Sequence, residues 1–312
     1  MLYLLAFFVK ALMSTTFVIA QKALALVGPV YLIGLRMTAA GLLLLGSLAL
    51  WRRSQFKLQR SDLSSFLKVI IFHIYIAYLA EFWGLQYLSG PKVALLFNFG
   101  PFITALLSYF MVRERLLWSQ WLGLLISFSG FVLLLLEQHS AAQLVNELWS
   151  VALPDLAILL SSTSSVYAWI TIQKLTRQQY SPILINGVGM LGGGLLALLT
   201  VPLFESYAQL SWSQSGELAL WIGLLILIAN VVCYNLYAWL LQRYSATLLS
   251  LASLTMPIFA ALWEWLWLGK TMSYTFYLAF MIISIGLGLF YLGESRRLAR
   301  LSAQLNTSAG VN

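Results

Sequence analysis

The sequence predicts an all-α integral membrane protein, with ten transmembrane helices arranged as two inverted five-helix repeats. Three observations predict it. Only 9% of the 312 residues are charged and 61% are hydrophobic, whereas a soluble domain carries roughly a quarter charged residues. The apolar residues fall into ten stretches near the length of roughly 20 residues that a helix needs to cross a hydrocarbon core about 30 Å thick. The second half of the chain also repeats the first. A net charge of +8 would suggest nucleic acid as a partner of a soluble protein. Here the basic residues are scattered between apolar runs, a pattern of membrane orientation, and no nucleic-acid partner is expected. The single cysteine, Cys233, lies in an apolar run and excludes an internal disulfide framework or a multi-cysteine metal site.

The predicted spans are Leu2 to Ala25, Val30 to Trp51, Val69 to Leu88, Val93 to Val112, Leu116 to Leu136, Leu156 to Leu175, Ile183 to Phe204, Leu218 to Leu241, Thr247 to Leu268 and Met272 to Leu292. The first reads as a span rather than a cleaved signal, because no basic residue precedes it and Lys10 interrupts it. Short connections with Gly28-Pro29, Gly90-Pro91 and Ser181-Pro182 force neighbouring helices to alternate in direction. With the N-terminus in the cytoplasm, that side receives Arg52, Arg53, Lys57, Arg60, Lys68, Arg113, Arg115, Lys174, Arg177, Arg243, Arg296, Arg297 and Arg300, thirteen of the eighteen basic residues. The opposite side receives Lys22, Lys92 and Lys270. Both termini are therefore expected in the cytoplasm of a multi-pass protein of the cell (inner) membrane.

Leu85 to Leu136 lies over Leu241 to Leu292 without a gap, at an offset of 156 residues, placing Pro101 on Pro257 and Gly130 on Gly286. The match extends upstream to Tyr78 on Tyr234 and Trp83 on Trp239. Five spans per half is an odd number, so the halves must enter the membrane from opposite sides. The expected organisation is a first repeat over 1–137, an extracytoplasmic loop over 138–154, a second repeat over 155–292 and a basic cytoplasmic tail over 293–312.

The run from Gly84 to Leu136 and its echo from Leu240 to Lys270 resemble the EamA-type transporters of the drug/metabolite transporter superfamily. Arg36, Pro101, Pro257, Glu114, Gly123, Gly130 and Gly286 match that pattern. Lys270 stands where the family's second half often has an acidic residue, and no residue of the seventh span mirrors Arg36. The resemblance implies a central cavity lined by spans one, three, four, six, eight and nine.

An ionisable side chain at bilayer depth costs at least about 2.5 kcal/mol, so Lys10, Arg36, Glu81 and Glu264 should face a cavity or one another. Tyr75, Tyr78 and Glu81 recur at threes on one helical face, and the repeat carries that face onto Tyr234 and Tyr237, with Asn230 a turn away. In the fourth span Asn98, Pro101, Ala105 and Ser108 form one stripe, with Leu254, Pro257, Ala261 and Glu264 as its image. The candidate substrate-binding or coupling residues are thus Lys10, Tyr75, Tyr78, Glu81, Asn98, Asn230, Tyr234, Tyr237 and Glu264, with Pro101 and Pro257 as hinges. Plainer readings compete. Glu81 could pair structurally with Lys22 or Arg36, Lys10 could snorkel to the interface, and Glu264 could be a solvated carboxylate in a tryptophan belt. Asn98, Asn230 and Asn235 could be interhelical hydrogen-bond glue, and the hydroxyl run Ser161 to Ser165 a packing surface. Arg36 reads as structural, closing helix ends. His73 and His139 lie too far apart in depth to share a metal.

These residues point to a secondary transporter for a small polar or zwitterionic metabolite, an amino acid or a compound like S-adenosylmethionine, working by alternating access. A coupling proton is a candidate cosubstrate, and a monomer or homodimer the expected state. A channel-like or accessory subunit is the alternative, and an intramembrane enzyme built on Ser129 and His73 a weaker one. No catalytic residue, metal or cofactor is expected, and no nucleotide-binding P-loop is present in the sequence.

Overall fold

The computed structural model describes the chain apart from Met1 and residues 53–54, 56–57, 101–102, 104–116, 139–147, 206–211, 244–252, 254 and 310–312. For residues 2–4, 6, 131, 134–138, 148–152, 241–243, 294 and 297–309 it describes the backbone alone. Most of the described residues are helical, with no strand among them. Seven helices are long and apolar enough to cross a membrane, namely Phe7–Leu24, Pro29–Trp51, Arg60–Leu85, Leu153–Arg177, Pro182–Phe204, Trp212–Leu240 and Tyr274–Gly293. The fifth span is described as the helix Trp118–Gln138. The fourth and ninth are described in part, as Gly90–Phe97 and Met256–Leu268.

Prolines open several helices. Pro29, Pro91, Pro182 and Pro257 all lie in a first turn, where a missing N–H has no intrahelical partner to lose. The helix from Pro29 is capped from a distance: the Glu205 carboxylate accepts the Val30 and Tyr31 amides at 2.8 and 3.1 Å. It supplies both acceptors and negative charge to the positive helix end. Met256–Leu268 stops at Gly269, whose φ of 66° places it in the left-handed region and lets its N–H reach Trp265 O at 3.0 Å.

The described helices depart from the predicted spans in four places. The fourth span is not one continuous helix. It breaks at Asn98-Phe99, whose amides turn back to Leu95 O and Leu96 O, because Pro101 has no N–H to offer the Phe97 carbonyl. Pro101, Ala105 and Ser108 themselves lie outside the described residues. The third and eighth spans each contain an eight-residue π-helical stretch, Val69–Ile76 and Ile226–Cys233. The helix carrying the sixth span begins at Leu148, so its first turns run through the segment expected as loop. The tenth continues to Ala309, because its basic tail is rich in Ala, Leu, Arg and Gln, all good helix formers.

The described chain divides into two compact units, Met1–Gly100 with Leu153–Thr271, and Pro101–Ala152 with Met272–Asn312. In the first unit the second and seventh spans pack through glycines. A methyl on Gly34 would meet Leu198 Cδ2 at 2.6 Å, and one on Gly187 would meet Leu45 Cδ2 at 2.8 Å; Gly41 and Gly194 lie against the backbones of Leu191 and Thr38. Moving each residue of one contact along the chain by 153 positions, Gly34 to Gly187 and Leu45 to Leu198, gives the other. In the second unit a methyl on Gly123 would meet Gly286 O at 2.5 Å, and one on Gly130 would meet Ala279 O at 3.1 Å. There Ser127 Oγ donates to Ile283 O at 3.1 Å, across a separation of 156 residues. Small residues let lipid-embedded helices approach backbone to backbone.

Candidate functional site

All the geometry below lies within the first unit. The Tyr78 and Tyr234 hydroxyls hydrogen-bond each other, across the 156-residue offset of the internal repeat. This contact joins the faces that the sequence predicted for spans three and eight. Arg36 comes to the same place, 1% exposed. Its Nε donates to Asn230 Oδ1 at 2.9 Å, and its guanidinium lies 5.2 Å from the Tyr78 ring centre and 5.5 Å from that of Phe82. Glu81 interacts electrostatically with Arg36 and with both tyrosines. Arg36 thus meets Glu81, one of the arrangements expected for the intramembrane charges, and its contacts are with side chains rather than with helix ends. A buried guanidinium needs acceptors and a counter-charge, and Asn230 and Glu81 are the groups that supply them.

The π-helical stretches shape this cluster. Tyr234 N–H reaches back five residues to Ala229 O, which leaves neighbouring carbonyls poorly paired. Asn235 Nδ2 donates to Asn230 O at 3.2 Å and Val231 O at 2.8 Å, and Asn235 Oδ1 accepts from Asn186 Nδ2 at 3.2 Å. Asn235 is thus backbone glue, while Asn230 serves the guanidinium. The same geometry separates Tyr75 from Tyr78. A π-helical turn holds more residues than an α-helical one, so a spacing of three no longer means one face; Tyr75 Oη instead donates to Thr200 Oγ1 at 3.0 Å on the seventh span.

Beside the Tyr78–Tyr234 pair lies a cluster of rings. Trp169 stacks on Tyr234 at 5.9 Å and meets Tyr237 edge-on at 4.8 Å. His73 packs against Trp169 at 4.8 Å and Tyr234 at 5.4 Å, and neither of its ring nitrogens has a hydrogen-bond partner. Lys10, 6% exposed, does not snorkel. Its Nζ lies 4.3 Å from the Tyr237 ring centre, a cation–π contact. Trp169 and His73 carried no intramembrane charge to flag them, and sequence reasoning passed over Trp169 altogether. The one signal for Trp169 was its place one turn beyond the hydroxyl run. That run does pack, as Ser164 Oγ donates to Phe72 O at 2.6 Å.

Toward the predicted outer ends of the spans, polar groups are sealed in. Glu264 is 0% exposed, so it is no solvated belt residue, although Trp265 and Trp267 beside it are exposed. Neither of its oxygens closes a hydrogen bond of good geometry. The Gln21 amide, the Gly90 N–H and the Lys270 ammonium nevertheless lie close enough to act on it. Lys92 Nζ and Asp155 Oδ1 form an ion pair at 2.9 Å, 4% and 1% exposed. Asp155 was missed in the sequence because it stands at the edge of a predicted loop. Asn98 is buried at the break of the fourth span with Nδ2 unpartnered, and Pro257 opens the ninth-span helix. Among the described residues no group of His, Cys, Asp and Glu could hold a metal ion.

The groups brought together are chemically complementary to a molecule with both charges and an aromatic or cationic part. Arg36 and Glu81 offer opposite charges, and the Trp169, Tyr234 and Tyr237 faces attract cations and stack on flat rings.

Known proteins resemble the chain over nearly its whole length. The model of the EamA-like transporter family matches residues 1–136 and again 152–292. An S-adenosylmethionine/S-adenosylhomocysteine transporter of Chlamydia muridarum is 31% identical over 294 residues, 93% of this chain and 92% of that protein. A transporter of the same description from Chlamydia trachomatis is 30% identical, covering 91% and 87%. An uncharacterized transporter of Synechocystis is 26% identical, covering 88% and 85%. A solved crystal structure shares the fold with a TM-score of 0.63 at 19% identity, over 94% of this chain and 97% of that one.

Proposed function

The chain belongs to the EamA-like transporter family, and we propose that its cargo is S-adenosylmethionine, exchanged for S-adenosylhomocysteine. It is a multi-pass membrane transporter of small metabolites and not an enzyme. In this proposal the halves 1–137 and 155–292 are inverted repeats that rock about a shared site in the cell membrane, with both termini in the cytoplasm. The observation that carries the reading is the buried cluster of Arg36, Glu81, Tyr78, Tyr234 and Trp169. Paired contacts at sequence offsets of 153 and 156 residues, and the double match of the family model, support two related halves. A contact between residues equivalent under an inverted repeat belongs at the membrane midplane, where such transporters bind cargo.

The cargo's chemistry fits the groups present. Arg36 faces the α-carboxylate and Glu81 the α-ammonium, while the rings of Trp169, Tyr234 and Tyr237 take the adenine and the sulfonium. Asn98 marks the break of span four and Glu264 lies buried within the helix that Pro257 opens, with Pro257 and Pro101 as the hinges. The test is counterflow into proteoliposomes loaded with S-adenosylhomocysteine. Labelled S-adenosylmethionine should accumulate transiently and saturably, and methionine or adenosine in its place should not. Accumulation independent of the internal ligand would favour a channel and reject exchange.

A further inference from the structure

We propose that Lys10 is a tethered cation holding the sulfonium position of the ring cluster, and that binding of S-adenosylmethionine expels one proton from it whereas S-adenosylhomocysteine leaves it charged. The inference rests on the substrate reading above and adds the coupling of that site. The two ligands differ by one methyl group and one positive charge. A single buried site that serves both must absorb that difference without water.

Lys10 Nζ sits on the Tyr237 face, and the neighbouring elements leave it without a carboxylate partner among the described residues. From the π-helical stretch Ile226–Cys233, Cys233 acts on it. From Tyr234–Arg243 comes Tyr237, and on Ala77–Leu85 Tyr78 and Glu81 are engaged with Arg36 of the second helix. Lys92 on Gly90–Phe97 is paired with Asp155. Glu217 on Trp212–Leu225 is exposed and accepts from Trp221 Nε1. Glu264 on Met256–Leu268 faces Gln21, about 16 Å along the first helix from Lys10 at 1.5 Å per residue.

A second cation on the same ring face therefore meets unscreened repulsion in a poorly polarisable setting. A sulfonium has no proton to lose, and an ammonium does. The balance is simple: the Lys10 ammonium becomes an amine, its proton goes to the bulk, and no other bond changes. The occupied site then carries the same total charge with either ligand. Exchange of one ligand for the other moves no net charge, a proton travelling against the sulfonium.

The test is titration calorimetry of the purified full-length protein in buffers of different ionisation enthalpy, which counts protons released on binding. About one proton should leave per S-adenosylmethionine bound and none per S-adenosylhomocysteine. Because the complex with S-adenosylmethionine holds one proton fewer, its affinity should rise with pH, by up to about tenfold per unit while the free site is protonated. Lys10→Met should abolish proton release and flatten that profile. Lys10→Arg keeps a cation that cannot be deprotonated, and should weaken S-adenosylmethionine at least tenfold while keeping S-adenosylhomocysteine. Equal proton counts for the two ligands, or a Lys10→Arg protein that binds both normally, would overturn the inference. Failure of the wild type to bind either ligand would instead remove the substrate reading beneath it.

Discussion

Removing either member of the Lys92–Asp155 pair should destabilise the protein far more than removing both. At 2.9 Å the attraction is about 6 kcal/mol for an effective dielectric constant of about 20, and desolvation of two ions offsets much of it. Asp155 has no hydrogen bond of good geometry to fall back on. Lys92→Met thus strands a carboxylate in a sealed site, and Asp155→Leu takes away the carboxylate that the buried Lys92 ammonium holds at 2.9 Å. Each single change should cost about 3–5 kcal/mol, read as a fall in detergent melting temperature on the order of 10 °C. The double variant Lys92→Met/Asp155→Leu should recover most of the loss, because it buries neither charge. Fluorescence-detected gel filtration after heating measures all four proteins in parallel. Single variants that melt within a degree or two of wild type, or a double variant no better than the worse single, would refute the claim of a dry ion pair.

Other outcomes follow from the same coordinates. Glu81→Gln should abolish coupled transport while the protein still folds and inserts, and full counterflow in that variant would retire Glu81 as a functional charge. Gly41→Val and Gly194→Val should fail to give folded protein, since the added atoms meet the Leu191 and Thr38 backbones, whereas Gly288→Ala, with nothing within 4 Å of the new methyl, should express normally. Glu205→Ala should cost about 1 kcal/mol by uncapping the helix that begins at Pro29, visible as a modest shift in melting. Tyr180→Phe should lose a further 1–3 kcal/mol or so, because Tyr180 Oη both donates to Asp62 at 2.8 Å and accepts from Gln59 N at 3.2 Å.

The seven full spans were legible because lipid imposes length and apolarity on them, and the matching faces of spans three and eight because the repeat aligned Tyr78 with Tyr234. The partners of Arg36 were not. Asn230 stands 194 residues away, and periodicity orders residues along one helix without saying which helix faces it. Tyr75 was misplaced for a different reason: counting by threes assumes α-helical turns, and nothing in Val69–Ile76 announces the wider π-helical ones. Trp169 and Asp155 were hidden, one among core aromatics and the other beside a proline at a loop edge. Glu264 was found by its charge, and its burial could come only from the helices packed around it.

The central claim is that the buried ring and charge cluster is where cargo sits. Calorimetric binding of S-adenosylmethionine to Trp169→Leu, with Trp265→Leu as a control on an exposed ring, tests it most directly. The account predicts at least a tenfold loss of affinity in Trp169→Leu and none in Trp265→Leu. Wild-type affinity in Trp169→Leu would contradict it.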